Sequence, residues 1–110
     1  MTNLTTPIII LPMERRAFKI NPIVINSTII KEVIIDSHVD KHSDHITDEL
    51  IIELVGKLVH TEHVPEAIKE NFQYFVSEIA HNQKLYKMIW LLENHKFYVG
   101  VITAFRDRRL

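Results

Sequence analysis

The sequence predicts an α+β domain, with a strand-rich N-terminal segment and one main helix over about 47–60 packed on a C-terminal antiparallel β-meander. Three patterns predict it. Ile23 to Asp36 is dense in Ile and Val, β-branched residues that suit the pleated, half-buried surface of a strand. Leu50, Ile51, Leu54, Val55 and Leu58 then recur at three- and four-residue spacing, which paints one apolar stripe on a helix. Beyond Asn71 the period falls to two, in runs at 72–80, 85–93 and 96–105 separated by short polar turns. At 110 residues these elements make a single domain spanning 1–110, long enough for one core and too short for two.

Residues 1–22 carry Pro7, Pro12 and Pro22 and read as edge strand, turn or a loosely held arm. The apolar stretch from Pro7 to Pro12 is short, proline-bounded and without a preceding basic region, so it does not read as a signal peptide. Asn26-Ser27 breaks the Ile/Val run into two pieces. Thr47 is placed as an N-cap, with Asp48 and Glu49 in the first turn, where the helix dipole favours negative charge. Ile46 before it can staple to Ile51. Residues 61–71 form a connection, or a short second helix at 65–70 opened by Pro65.

In the meander, Asn94-His95 serves as a two-residue turn that sets Glu93 opposite Lys96, and alternation then sorts the faces. Phe75, Ile79, Tyr86, Met88, Trp90, Phe97, Val99 and Val101 make the core face, on which Thr103 also falls. Tyr74, Val76, Glu78, Lys87, Ile89, Leu91, Tyr98, Gly100, Ile102 and Arg106 make the other, with Glu78 opposite Lys87. Such a pair on a solvated face contributes little by itself.

Several classes of chemistry are excluded. Cysteine is absent, which removes disulfides, thiolate metal sites and cysteine nucleophiles. Two glycines cannot build a phosphate-cradling loop or a serine nucleophile elbow. No apolar run is long enough to cross a bilayer, so no membrane contact is expected and the protein is placed in the cytoplasm. Net charge is −1, so nucleic-acid binding would depend on local patches.

Ionisable side chains concentrate just before the helix: His38, Lys41, His42, Asp44 and His45, out of seven histidines in the chain. The spacing of His38, His42 and His45 invites a metal, but Val39 stands where a zinc-protease helix needs glutamate. The site is therefore expected to hold no metal and no cofactor. Asp36, Asp40 and Asp44 read as a solvated acidic row. RNA cleavage without metal needs a base for the ribose 2′-hydroxyl, an acid for the leaving 5′-oxygen and cations for the phosphate. His38, Lys41, His42, Lys87 and Arg106 supply those types.

The segments Ser37-His38…Lys41-His42…Ile46-Thr47-Asp48-Glu49-Leu50, Leu85 to Trp90 and Tyr98 to Arg106 resemble small nucleases and toxins of the barnase/EndoU/colicin/RelE superfamily, especially its phage-associated and polymorphic-toxin branches. The resemblance spans about residues 34–106. It implies a helical region followed by a twisted antiparallel sheet, RNA as substrate and, for a toxin, a cognate inhibitor protein. It maps onto His38 and His42 and, through the final-strand Thr-x-x-Arg, onto Thr103 and Arg106; together with the residue types this gives His38, His42, Lys87 and Arg106 as expected catalytic residues and Lys41, Tyr98 and Thr103 as expected to bind RNA. Two other readings stand beside it: His38 and His42 as a helix-entrance pair bonding backbone and water, and the whole chain as a non-catalytic interaction module of the immunity, antitoxin or phage-accessory kind. There Trp90, Phe97, Tyr98 and the Ile-rich arm would form a partner surface.

Overall fold

The computed structural model describes residues 15–37 and 46–108. Its elements are β1 (Arg15–Ile25), β2 (Thr28–Asp36), α1 (Asp48–Gly56), β3 (Ala67–Lys69), β4 (Phe72–His81), β5 (Lys84–Glu93) and β6 (Tyr98–Asp107). The class is α+β, one helix on a six-stranded mixed sheet of order β1-β2-β6-β5-β4-β3. β2 and β6 run parallel, and the other neighbours antiparallel.

Two hairpins close without glycine. Asn26 and Ser27 have φ of 51° and 62°, and Asn82 and Gln83 have 51° and 65°. Two consecutive left-handed residues match the right-handed twist of the strands they join. Asn26 also clamps the turn to the chain beyond the helix: its Nδ2 donates to the His63 carbonyl at 2.9 Å, and its Oδ1 accepts from the His63 amide at 2.8 Å.

The helix begins where Thr47 Oγ1 accepts from the Leu50 amide at 3.1 Å. Asp48 then receives both Nε and Nη2 of Arg16, each at 3.1 Å, which ties the helix entrance to β1. Ile51, Leu54 and Val55 are buried against Ile30, Val33 and Ile35 of β2 and the inward rows of β4, β5 and β6. At the centre Trp90 stacks on Phe75 at 4.1 Å, and its indole N–H donates to Ser77 Oγ at 3.0 Å. The edge of the His63 ring meets Trp90 at 5.2 Å. His63 Nε2 lies 2.9 Å from the Leu58 carbonyl, which can only accept, so this nitrogen carries the proton.

Several expectations need correction. The helix stops at Gly56, short of residue 60, because Lys57 and Leu58 bond back to the Leu54 and Val55 carbonyls and tighten the last turn. Leu58 stays buried outside the helix, so apolar spacing outlasted helical backbone. No second helix forms at 65–70. Ala67–Lys69 is instead an edge strand paired with Phe72, Gln73 and Tyr74, after which Glu70 turns at φ 55°. Residues 15–22 belong to β1 and are no arm, while 1–14 lie outside the described residues. The last hairpin closes through 94–97 and not through two residues, since the Asn94 amide bonds to the Asn71 carbonyl and Lys96 to that of Glu93. Phe97 is consequently 55% exposed and not in the core, lying under the Lys31 ammonium at 5.2 Å. Among the described residues no helix is long and apolar enough to cross a membrane.

Candidate functional site

One face of the sheet carries the helix; the other, the open face, carries no element among the described residues. Directly opposed residues of paired strands share a face, so the pairs assign each side chain. Leu91 opposite Gly100 and Glu78 opposite Lys87 lie on the open face, and Trp90 opposite Val101 on the helix face.

A one-residue bulge then changes the outcome. Between Trp90–Val101 and Ile89–Thr103 the register shifts, leaving Ile102 as the extra residue of β6. Every residue after it swaps sides. Thr103, expected in the core, lies with Ile89 on the open face; Arg106, expected beside Lys87, lies opposite Tyr86 on the helix face. The Thr103 hydroxyl and Arg106 Nε are enclosed without a hydrogen-bond partner.

The structure therefore brings Lys87, Thr103 and Tyr98 to one face and sends Arg106 to the other. Lys87 faces Phe105 and is a diagonal neighbour of Thr103. His38, Lys41 and His42 lie outside the described residues, as does His45. Among the described residues no group of His, Asp and Glu is arranged to hold a metal ion.

The open face holds a groove of about 180 Å³ running obliquely from Arg15 and Asp36 to Phe72, Glu93 and Tyr98. Its floor is Ile34, Gly100, Leu91 and Ile102. Gly100 is buried in that floor and lets Leu91 and the Tyr98 ring close over it, since a Cβ there would meet Leu91 Cδ1 at 2.9 Å and Tyr98 Cε1 at 3.5 Å. At the lower end the Tyr98 hydroxyl donates to Glu93 Oε1 at 2.7 Å. Burial first, and then this bond and the Glu93 charge, push the phenol up to about 12, so it stays a donor throughout neutral conditions. Arg15 opposes that shift.

At the upper end Arg15 stands directly opposite Asp36, where β2 stops and the chain passes toward residues 38–45. Sequence reasoning missed Arg15 because Glu14-Arg15-Arg16 lies in the proline-bearing stretch 1–22, which reads as edge strand, turn or a loosely held arm. A weak signal did exist, since Phe18, Lys19 and Ile20 alternate apolar and polar as a strand requires, and in the fold Arg16, Phe18 and Ile20 are less exposed than Arg15, Ala17 and Lys19. Trp90, proposed as part of a partner surface, is fully buried.

No protein-family model, curated protein or solved structure matches this chain.

Proposed function

We propose that this protein is a metal-independent, toxin-like ribonuclease of the cytoplasm, related to the barnase/EndoU/colicin/RelE superfamily, and that the open face of the sheet meets RNA. The N-terminal strands and the C-terminal antiparallel meander carry the helix on one side, and among the described residues no element covers the other. A single observation carries the reading: the groove runs along this face to the point where β2 hands the chain to the segment bearing His38, Lys41 and His42, with Arg15 at that end. Lys87 and Thr103 share the same face.

In this reading one imidazole of His38 and His42 takes the 2′-hydroxyl proton, and the 2′-oxygen attacks phosphorus. The other imidazole protonates the departing 5′-oxygen. Lys87 and Arg15 oppose the charge that grows on the phosphate, while Lys41 and Tyr98 hold RNA; Thr103 leaves the binding set, because its hydroxyl is enclosed. Arg106 leaves the proposed catalytic set, because its strand position faces the helix.

Purified protein incubated with total RNA in excess chelator should cut it. His38→Ala and His42→Ala should each lose on the order of a hundredfold in turnover. Arg106→Ala should cut nearly as well per folded molecule. Intact RNA with the parent protein would defeat the reading.

The second reading, a non-catalytic module that binds a partner protein, is favoured by one observation: Val24, Ile29, Val64, Ile68 and Val76 are large apolar side chains left exposed. Intact RNA in the same assay would bring this reading forward.

A further inference from the structure

The groove has a polarity that the cleavage reading does not use. Its upper end presents the Arg15 guanidinium, backed by Asp36 on the neighbouring strand. The middle is apolar, formed by Ile34, Leu91 and Ile102, with Leu91 and the Tyr98 ring packed over the buried Gly100. The lower end presents the Glu93 carboxylate, fixed by the Tyr98 hydroxyl, with Glu32 opposite Tyr98 on β2.

We propose that the groove holds one ribonucleotide unit, its phosphate at Arg15, its base against Ile34, Leu91 and Ile102, and an amino-bearing base edge at Glu93. This rests on the ribonuclease reading for its choice of ligand and adds to it a base preference. An ionised carboxylate only accepts hydrogen bonds, and the Tyr98 bond occupies one of the lone-pair positions on its two oxygens. Guanine, cytosine and adenine each offer an exocyclic amino group to such an acceptor. Uracil sets two carbonyl oxygens around its one N–H, and at least one of them would face the carboxylate. Glu93 therefore selects against uracil, and Arg15 binds every nucleotide alike.

The test titrates the protein with GMP, CMP, AMP and UMP and follows backbone amide shifts. UMP should bind at least about tenfold more weakly than the tightest of the other three. Glu93→Gln, which keeps the shape and gains a donor, should remove most of that difference. Arg15→Ala should weaken all four and flatten their salt dependence. Equal binding of the four, absence of binding, or an order unchanged by Glu93→Gln would overturn the inference. Cleavage of RNA in chelator without base order would sink this inference and leave the ribonuclease reading standing. Ordered binding without cleavage would do the reverse.

Discussion

The two faces of this sheet differ in how their side chains are answered. On the helix face Trp90, Phe75, Met88, Ile35 and Leu54 are fully buried, and the Trp90 indole finds Ser77. On the open face Leu91, Ile34 and Ile102 are half-buried around a groove, and Val76 is 41% exposed. Stability comes from removing apolar surface from water, so it concentrates where the helix lies. That face keeps an apolar floor, the Arg15 cation and a hydrogen-bonded carboxylate in reach of solvent, the mixed lining common to ligand grooves.

The largest expected effect breaks the covered face. Leu54 has no contact with solvent, so Leu54→Asp would bury an unpaired carboxylate and cost about 4 kcal/mol or more. Denaturant unfolding should show this as a collapse of the transition midpoint. Unchanged unfolding would remove the helix from the core.

A smaller effect is expected one layer in. Ser77→Ala takes away the acceptor of the Trp90 N–H and leaves that donor enclosed, at a cost of about 1–2 kcal/mol. Trp90 fluorescence should shift as the indole loses its partner. On the open face Val76→Lys should change stability by less than about 0.5 kcal/mol, because the side chain already meets water. A loss comparable to that of Ser77→Ala would mean that this face is covered in solution.

What sequence made legible follows the range of each interaction. The Thr47 cap, the Asn26-Ser27 turn and the hairpin that sets Ala80 opposite Leu85 depend on neighbours a few residues apart, and the pattern showed them. The parallel pairing of β2 with β6 joins Glu32 to Tyr98 across the whole core, and no local signal announces it. The bulge at Ile102 is harder still, since neither glycine nor proline marks it. That single residue moved Thr103 and Arg106 to faces opposite those expected, and with them the composition of the site. Arg15 entered the groove only because β1 pairs with β2, a contact its charged neighbours concealed.

The smallest effect is invisible at neutral pH and belongs to Tyr98. Its phenol titrates at about 12 in the folded chain, raised from 10.0, with burial as the main cause and the Glu93 bond next. The folded state thus holds this proton more tightly than the unfolded state does. The resulting stability is fully present below pH 10.0 and is lost as pH rises toward 12. Between neutrality and pH 10.0 Tyr98 should add no slope to the stability curve. Above that range the wild-type chain should lose stability, and Tyr98→Phe should lose less. Ultraviolet difference titration should show a late tyrosine phase that Tyr98→Phe removes, and Glu93→Gln should bring it earlier by removing both the charge and the ionic acceptor. If Glu93→Gln leaves that late phase in place, burial alone accounts for the shift, and Glu93 is not the fixed carboxylate that distinguishes the open face from the covered one.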